Sequence, residues 1–185
     1  MSHASILQFR TANCKNCYKC IRNCPVKAIR VTNQQAQIIE EQCILCEKCI
    51  AVCPQHAKVE HDDIPAIQRV IASGKKVIAS VHPAYLARYG WNSIGDLEKY
   101  LQKMGFWKAF DAAQGAAVMK EEYTRLLREQ QQKKLVISSN CPVVVRLIET
   151  KYPHLTEYLA PVYSMKQMHA AYLREQYPDA SIVYI

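Results

Sequence analysis

Residues 14–25 read CKNCYKCIRNCP and residues 43–54 read CILCEKCIAVCP. Both obey one rule, CxxCxxCxxxCP. Cys14, Cys17, Cys20 and Cys24 therefore stand in the same relation as Cys43, Cys46, Cys49 and Cys53, with Pro25 and Pro54 closing the two copies. The step from Cys14 to Cys43 is 29 positions, and it carries more than cysteine: Lys19 falls on Lys48, Ile21 on Ile50 and Ala28 on Ala57. Eight thiols repeated this closely either pair with one another or take metal.

Disulfides are the weaker reading. The N-terminus (MSHASILQFRTAN) lacks the apolar core of a secretory signal, and CxxC neighbours in such a chain point to metal. Zinc is the rival metal, since CxxC pairs also build zinc knuckles. Zinc ribbons use isolated pairs, however. Here three cysteines fall at successive three-residue steps with a fourth before proline, which is the run of two-cluster bacterial ferredoxins and predicts two 4Fe–4S clusters. In that run the fourth cysteine ligates the other cluster. Cys14, Cys17, Cys20 and Cys53 are thus expected to hold one cluster, and Cys43, Cys46, Cys49 and Cys24 the second.

A chain of 185 residues has room for one or two domains. Residues 1–62 read as the two-cluster module and 63–185 as a second domain with its own core. The formal charge is +8 with cysteine counted as neutral. Metal ligands are thiolates, and each loaded 4Fe–4S site carries about 2−, which brings the chain to about +4. In residues 1–60 Arg10, Lys15, Lys19, Arg22, Lys27, Arg30, Lys48 and Lys58 outnumber Glu40, Glu41, Glu47 and Glu60. Such cations favour the reduced clusters and raise their potentials relative to an acidic ferredoxin. No basic–aromatic pattern accompanies the charge, so no nucleic-acid partner is expected. No apolar run reaches the length of a membrane span, and there is no GxGxxG or Walker loop. The expected setting is cytoplasmic and anaerobic, without a membrane, where exposed clusters survive.

The insert VTNQQAQIIEEQ (31–42) reads as two short strands around a turn at Asn33–Gln35, and each CP is expected to lead into a helical turn, at Val26–Ala28 and Gln55–Ala57. After a linker at 61–64 the pattern alternates between helix and strand. Helices are read at Ile64–Ala72, Pro83–Tyr89, from Ser93 to Met104, at Asp111–Glu129, Pro142–Lys151 and Ser164–Tyr177. Strands are read at Lys76–Val81, Trp107–Phe110, Leu135–Ser138 and Ser181–Ile185. Gln130–Lys134 reads as a solvated loop. The fold class is an α+β ferredoxin-like module followed by an α/β domain with a mostly parallel sheet. Because the last residues form an apolar strand, the α/β sheet is expected to be incomplete, either the front of something longer or completed by a partner. His82, His154 and His169 share no ligand spacing and read as ordinary surface or core residues. Cys141, between the strand at 135–138 and the helix at 142–151, has two open readings: a thiolate favoured by a helix N-terminus, or a small buried hydrophobe.

Several segments, in order, resemble the start of the catalytic domain of di-iron (iron-only) hydrogenases. KVIASVHPAYLARYG (76–90) is similar to that family's first strand and helix. FDAAQGAAVMKEEYTRLLRE (110–129) resembles its FDTxxGAD…MEE helix, and SSNCP (138–142) resembles its first cluster motif, TSCCP. The two-cluster module ahead matches the family's layout. The resemblance implies that Cys141 ligates the 4Fe–4S part of the catalytic H-cluster and that Glu122 occupies a proton-relay position. Two departures stand out. Asn140 replaces the proton-donating cysteine and has no proton that titrates near neutrality. The next relay carboxylate is Arg125, which stays charged. The family's PCxxKK and later cysteine motifs are absent from the sequence, so the chain alone is not expected to complete an H-cluster.

The expected function is single-electron relay through two 4Fe–4S clusters towards an H-cluster domain, in a divergent, sensory-like branch. The redox partner would be a ferredoxin, a flavodoxin or another oxidoreductase subunit. The alternative is a non-catalytic electron-transfer or redox-sensing subunit whose α/β part is a docking module.

Overall fold

The computed structural model describes residues 6–90, 93–129 and 135–185, with the backbone alone at 88 and 89. The loop read at Gln130–Lys134 lies outside the described residues. The chain divides into two compact units: Met1–Asp62 with Cys141–Glu157, and Asp63–Asn140 with Tyr158–Ile185. The helix at 142–151 groups with the first unit.

The first unit is built from short elements because its repeat is loop-rich. Strands β1 (Leu7–Phe9) and β4 (Lys58–Glu60) pair antiparallel, as do β2 (Ile29–Thr32) and β3 (Gln35–Ile38). The β2–β3 turn is Asn33–Gln34, both with positive φ (50° and 58°), the two-residue turn that matches strand twist. Helices α1 (Lys19–Asn23) and α2 (Lys48–Ala51) lie before the fourth cysteine of each copy. The helical turns expected after each CP do not form. At those places Lys27 and His56 are left-handed (φ 56° and 47°), and the next amides, of Ala28 and Ala57, donate to Cys24 Sγ and Cys53 Sγ at 3.2 and 3.4 Å. A sulfur acceptor has taken the amide that a helix would have used.

The repeat is written into the backbone as well. Left-handed Asn16, Tyr18 and Lys27 recur 29 residues on at Leu45, Glu47 and His56. For a residue with a Cβ this conformation costs about 1–2 kcal/mol, and it persists where the surrounding structure requires it. The core around these loops is Leu7, Ala28, Ile29 and Ala36 with Cys24 and Cys49, both 8% exposed.

In the second unit β5 (Val77–Val81) is buried at every residue and lies between β6 (Lys108–Asp111) and β7 (Ser181–Tyr184), parallel to both. A strand buried along its whole length is what a parallel sheet covered on both faces demands, and its one polar side chain, Ser80, is hydrogen-bonded to His169. Its cover includes α5 (Ile94–Lys103), whose Leu97 and Leu101 join Val77, Ala79, Val81, Tyr85 and Phe106 in the core, with Ile67, Val70 and Ile71 of α3 (Ile64–Ala72) packed against them. Helix α4 (Tyr85–Tyr89) supplies Tyr85. Helices α6 (Ala113–Glu129) and α8 (Met165–Gln176) cross closely, and α8 starts with a capping box at Ser164 and Gln167. No described helix is long and apolar enough to cross a membrane.

Leu135–Ser138 does not join the sheet. It makes one isolated parallel bridge, between Ile137 and Leu159. The adjacent serines turn to side-chain partners instead: Ser138 Oγ lies 3.0 Å from Tyr123 Oη, the Ser139 amide donates to Tyr123 Oη at 3.1 Å, and Ser139 Oγ donates to the Val162 carbonyl at 2.6 Å. Serines offer the backbone such alternatives to a ladder.

The α6–α8 crossing depends on Gly115, where a Cβ would collide with the Met165 carbonyl and with His169. His169 is fully buried. Its Nδ1 sits 2.7 Å from Ser80 Oγ and its Nε2 3.3 Å from Gln114 Oε1, and burial pushes its pKa down, so it serves as a neutral crosspiece. Gly115→Ala should destabilise the protein by about 1–3 kcal/mol through overpacking. A thermal melt should show roughly 2–4 °C of lowering per kcal/mol, and an unchanged midpoint would contradict the close crossing.

Candidate metal centres

The eight repeat cysteines surround two separate cavities. Cys14, Cys17, Cys20 and Cys53 line the first, with Lys15, Lys19, Ala36 and Lys58 among their neighbours. Cys24, Cys43, Cys46 and Cys49 line the second, with Ile29, Glu47 and Lys48. Each cavity draws three thiols from one copy of the repeat and the fourth from the other. All eight are free thiols. Among the described residues, no three His, Cys, Asp or Glu side chains close on a point as the ligands of one ion would. The thiols stand around two volumes instead.

These surroundings fit a 4Fe–4S cubane in each cavity. Such a cluster takes four thiolates, and hydrogen bonds to the sulfurs tune it. Amide donors to sulfur are in place: Ala28 to Cys24, Ala57 to Cys53, and Leu45 to Cys43 at 3.4 Å. The cysteines differ as free acids. Burial raises Cys49 to about 11 and raises Cys20, while Lys58 pulls both back. At Cys53 burial is the largest single cause and raises the pKa, but backbone hydrogen bonds from Ala57, Gln55 and Lys58 outweigh it and the thiol ends lowered. Cys17 is the exposed member of the eight.

Cys141 is exposed and caps helix α7 (Pro142–Lys151), with no side-chain hydrogen bond at the cap. The side chain that ties α7 to the first unit is Arg146. Its Nε donates to the Cys43 carbonyl and its Nη2 to the Glu40 carbonyl, at 2.7 Å. The helix that begins at Cys141 is therefore anchored on the loop of the second thiol set. Asn140 accepts from the Met165 amide at 3.1 Å through Oδ1, which gives this substituted position a structural task at the start of α8. Glu122 is engaged by Arg125, Nη2 to Oε2 at 2.6 Å, and Arg125 also reaches Glu129 at 3.2 Å.

The sequence reading counted Lys58 only as a charge and did not single out Arg146. Lys58 is 2% exposed. The one hint was its place one residue beyond the CPxxA segment.

Two antiparallel ribbons with eight converging thiols, followed by a parallel α/β sheet, define an iron–sulfur protein of the ferredoxin type joined to an α/β domain. The family described as "Iron only hydrogenase large subunit, C-terminal domain" matches residues 75–185, and a 4Fe–4S dicluster domain matches residues 13–57. The chain belongs to the iron-only hydrogenase family and carries a two-cluster ferredoxin module.

It is 27% identical over 163 residues to the NADP-reducing hydrogenase subunit HndD of Solidesulfovibrio fructosivorans, covering 78% of this chain and 28% of that protein. It is 50% identical over 44 residues to one component of an ion-translocating oxidoreductase complex from Methanosarcina acetivorans, covering 24% of this chain and 17% of that component. Similarity to the thiosulfate reductase electron transfer subunit PhsB of Salmonella typhi is 24% over 120 residues, 59% of this chain and 62% of that one. Among solved structures, an FeFe-hydrogenase described for oxygen inactivation of its H cluster shares the fold at a TM-score of 0.54 and 24% identity, over 67% of this chain and 38% of that one. HydA1 from Chlamydomonas reinhardtii matches at 0.52 and 24%, over 67% and 37%. The chain thus spans 17–62% of the length of these curated relatives.

Proposed function

We propose that this protein relays single electrons through two 4Fe–4S clusters, one held by Cys14, Cys17, Cys20 and Cys53 and the other by Cys24, Cys43, Cys46 and Cys49. The observation that carries the reading is the lining of two cavities by these two crossed sets of four thiols. The clusters, when bound, supply one-electron storage. The chain's residues do the rest: the cysteines ligate, the amides of Ala28, Leu45 and Ala57 moderate the sulfur charge, and the cavity walls limit water.

Electrons enter at the first set, whose Cys17 is exposed, and leave through the second, on which Arg146 anchors α7. The donor is an acidic one-electron carrier, met in an anaerobic cytoplasm. Lys15 and Lys19 border the first cavity, and residues 6–39 contain no Asp or Glu. Cys141 would lend one thiolate to a third cluster whose other ligands lie outside this sequence. Glu122 is a weak proton relay while Arg125 holds it, because a guanidinium does not pass protons near neutrality. The reading therefore rests on electron relay and not on hydrogen turnover.

Iron and acid-labile sulfide analysis of anaerobically purified protein tests it. About eight irons and eight sulfides per chain are expected from two cubanes. Zinc in place of iron, or about four irons, would overturn it.

A further inference from the structure

Lys58 presents an electrostatic problem that its own contacts do not solve. It is 2% exposed. Its Nζ donates to the Ala36 carbonyl at 2.9 Å and lies 4.2 Å from the centroid of the Phe9 ring, the residue opposite it across the β1–β4 ladder. Among the described residues no carboxylate forms an ion pair with it. A neutral carbonyl and a ring face do not replace the water that a buried ammonium has lost, and such a charge is strongly disfavoured without an anion nearby.

The anions within reach are thiolates. Lys58 lines the first cavity, with Cys14, Cys17, Cys20 and Cys53. Helix α2, which carries Cys49 of the second set, packs against β4, the strand that begins at Lys58. Lys58 is therefore a cation on the wall of the first cavity and on a strand packed beside an element of the second thiol set. The exposed lysines differ. Lys19 borders the first cavity and Lys48 the second, but water screens both.

We propose that Lys58 is a buried counter-cation shared by the two cluster sites, placed to make electron gain easier at both. The proposal rests on the two-cluster reading above. An electron given up by an external one-electron carrier would make the receiving site more negative by one unit, and Lys58 would stabilise that added charge. No bond to Lys58 forms or breaks and no proton moves. Because Lys58 is buried, the attraction would be stronger than for a surface lysine at similar range.

Anaerobic redox titration of Lys58→Met, Lys58→Gln and Lys58→Arg, followed by electron paramagnetic resonance, tests this, with iron content measured on each. Gln keeps a donor for the Ala36 carbonyl and removes the charge; Arg keeps the charge. With eight irons retained, Met and Gln should lower the electron affinity of both clusters about tenfold, equivalent to about 59 mV for one electron. Arg should leave both near wild type, and Lys48→Gln should shift neither by as much. Loss of iron in Met and Gln but not in Arg also supports the proposal, since charge is then needed to hold the clusters.

Unchanged potentials in Met and Gln, a shift at one cluster only, an equal shift from Lys48→Gln, a shift in Arg matching that in Met, or iron loss in all three would overturn it. Failure of the wild-type protein to bind eight irons is a separate result, and it sinks the underlying reading instead.

Discussion

Cys53→Ala is expected to remove the same cluster as Cys14→Ala, although the two residues lie in different copies of the repeat. Each single substitution should halve the iron, from about eight to about four per chain, because a cubane lacking one of four thiolates is poorly held. The double variants carry the information. Cys14→Ala with Cys53→Ala should still retain about four irons, since both strike one site. Cys43→Ala with Cys53→Ala should retain almost none, since they strike both. The mirror pair behaves alike: Cys24→Ala combined with Cys43→Ala loses one cluster, and combined with Cys14→Ala loses two. This is a cycle of the kind that separates shared from independent sites. The crossed lining of the two cavities is its basis. If instead Cys14→Ala with Cys24→Ala spares four irons, each copy holds its own cluster and the crossed assignment is wrong.

What the sequence made legible follows from how local each signal is. Thiol spacing is local, so the repeated cysteine pattern can be read from the sequence alone. The buried strand Val77–Val81 and the helix Pro142–Lys151 are also legible, one from a short run that is apolar but for Ser80 and the other from a proline at its first turn and apolar spacing along it. The strand expected at Leu135–Ser138 looks the same on paper, yet Tyr123, far away in sequence, supplies a hydroxyl that competes for the serines. Pairing of β1 with β4 was illegible because both strands are three residues long. The helical turn expected after each proline was displaced by an amide–sulfur bond that propensity does not register. The roles of Lys58 and Arg146 require three dimensions. One depends on which strand face turns inward, and the other on a helix about a hundred residues away in sequence reaching back to the Glu40 and Cys43 carbonyls.

Charge reversal beside the first cavity should slow electron delivery more than any other surface change. Lys15 and Lys19 border that cavity next to exposed Cys17, and the surrounding sequence from residue 6 to 39 holds Arg10, Arg22, Lys27 and Arg30 with no acid. The second cavity is bordered by Glu47 together with Lys48, and Glu40 and Glu41 are exposed nearby in the chain, so its rim is of mixed sign. An acidic carrier is steered to the first rim and gains little from the second. Such fields raise association rates by about 10–10³-fold at low salt, and with a Debye length of about 10 Å at 0.1 M the advantage fades as salt is added. The double variant Lys15→Glu/Lys19→Glu should therefore cut the second-order rate of reduction by an acidic ferredoxin or flavodoxin by about 10-fold or more at low ionic strength. The two curves should converge at high salt. Arg22 is left in place, because its Nη2 donates to the Cys17 carbonyl at 3.1 Å and helps shape the loop. A small uncharged reductant should reduce both proteins at equal rates, which separates docking from any change in the clusters. Equal rates with the acidic carrier at every salt concentration would move the point of electron entry away from Cys17.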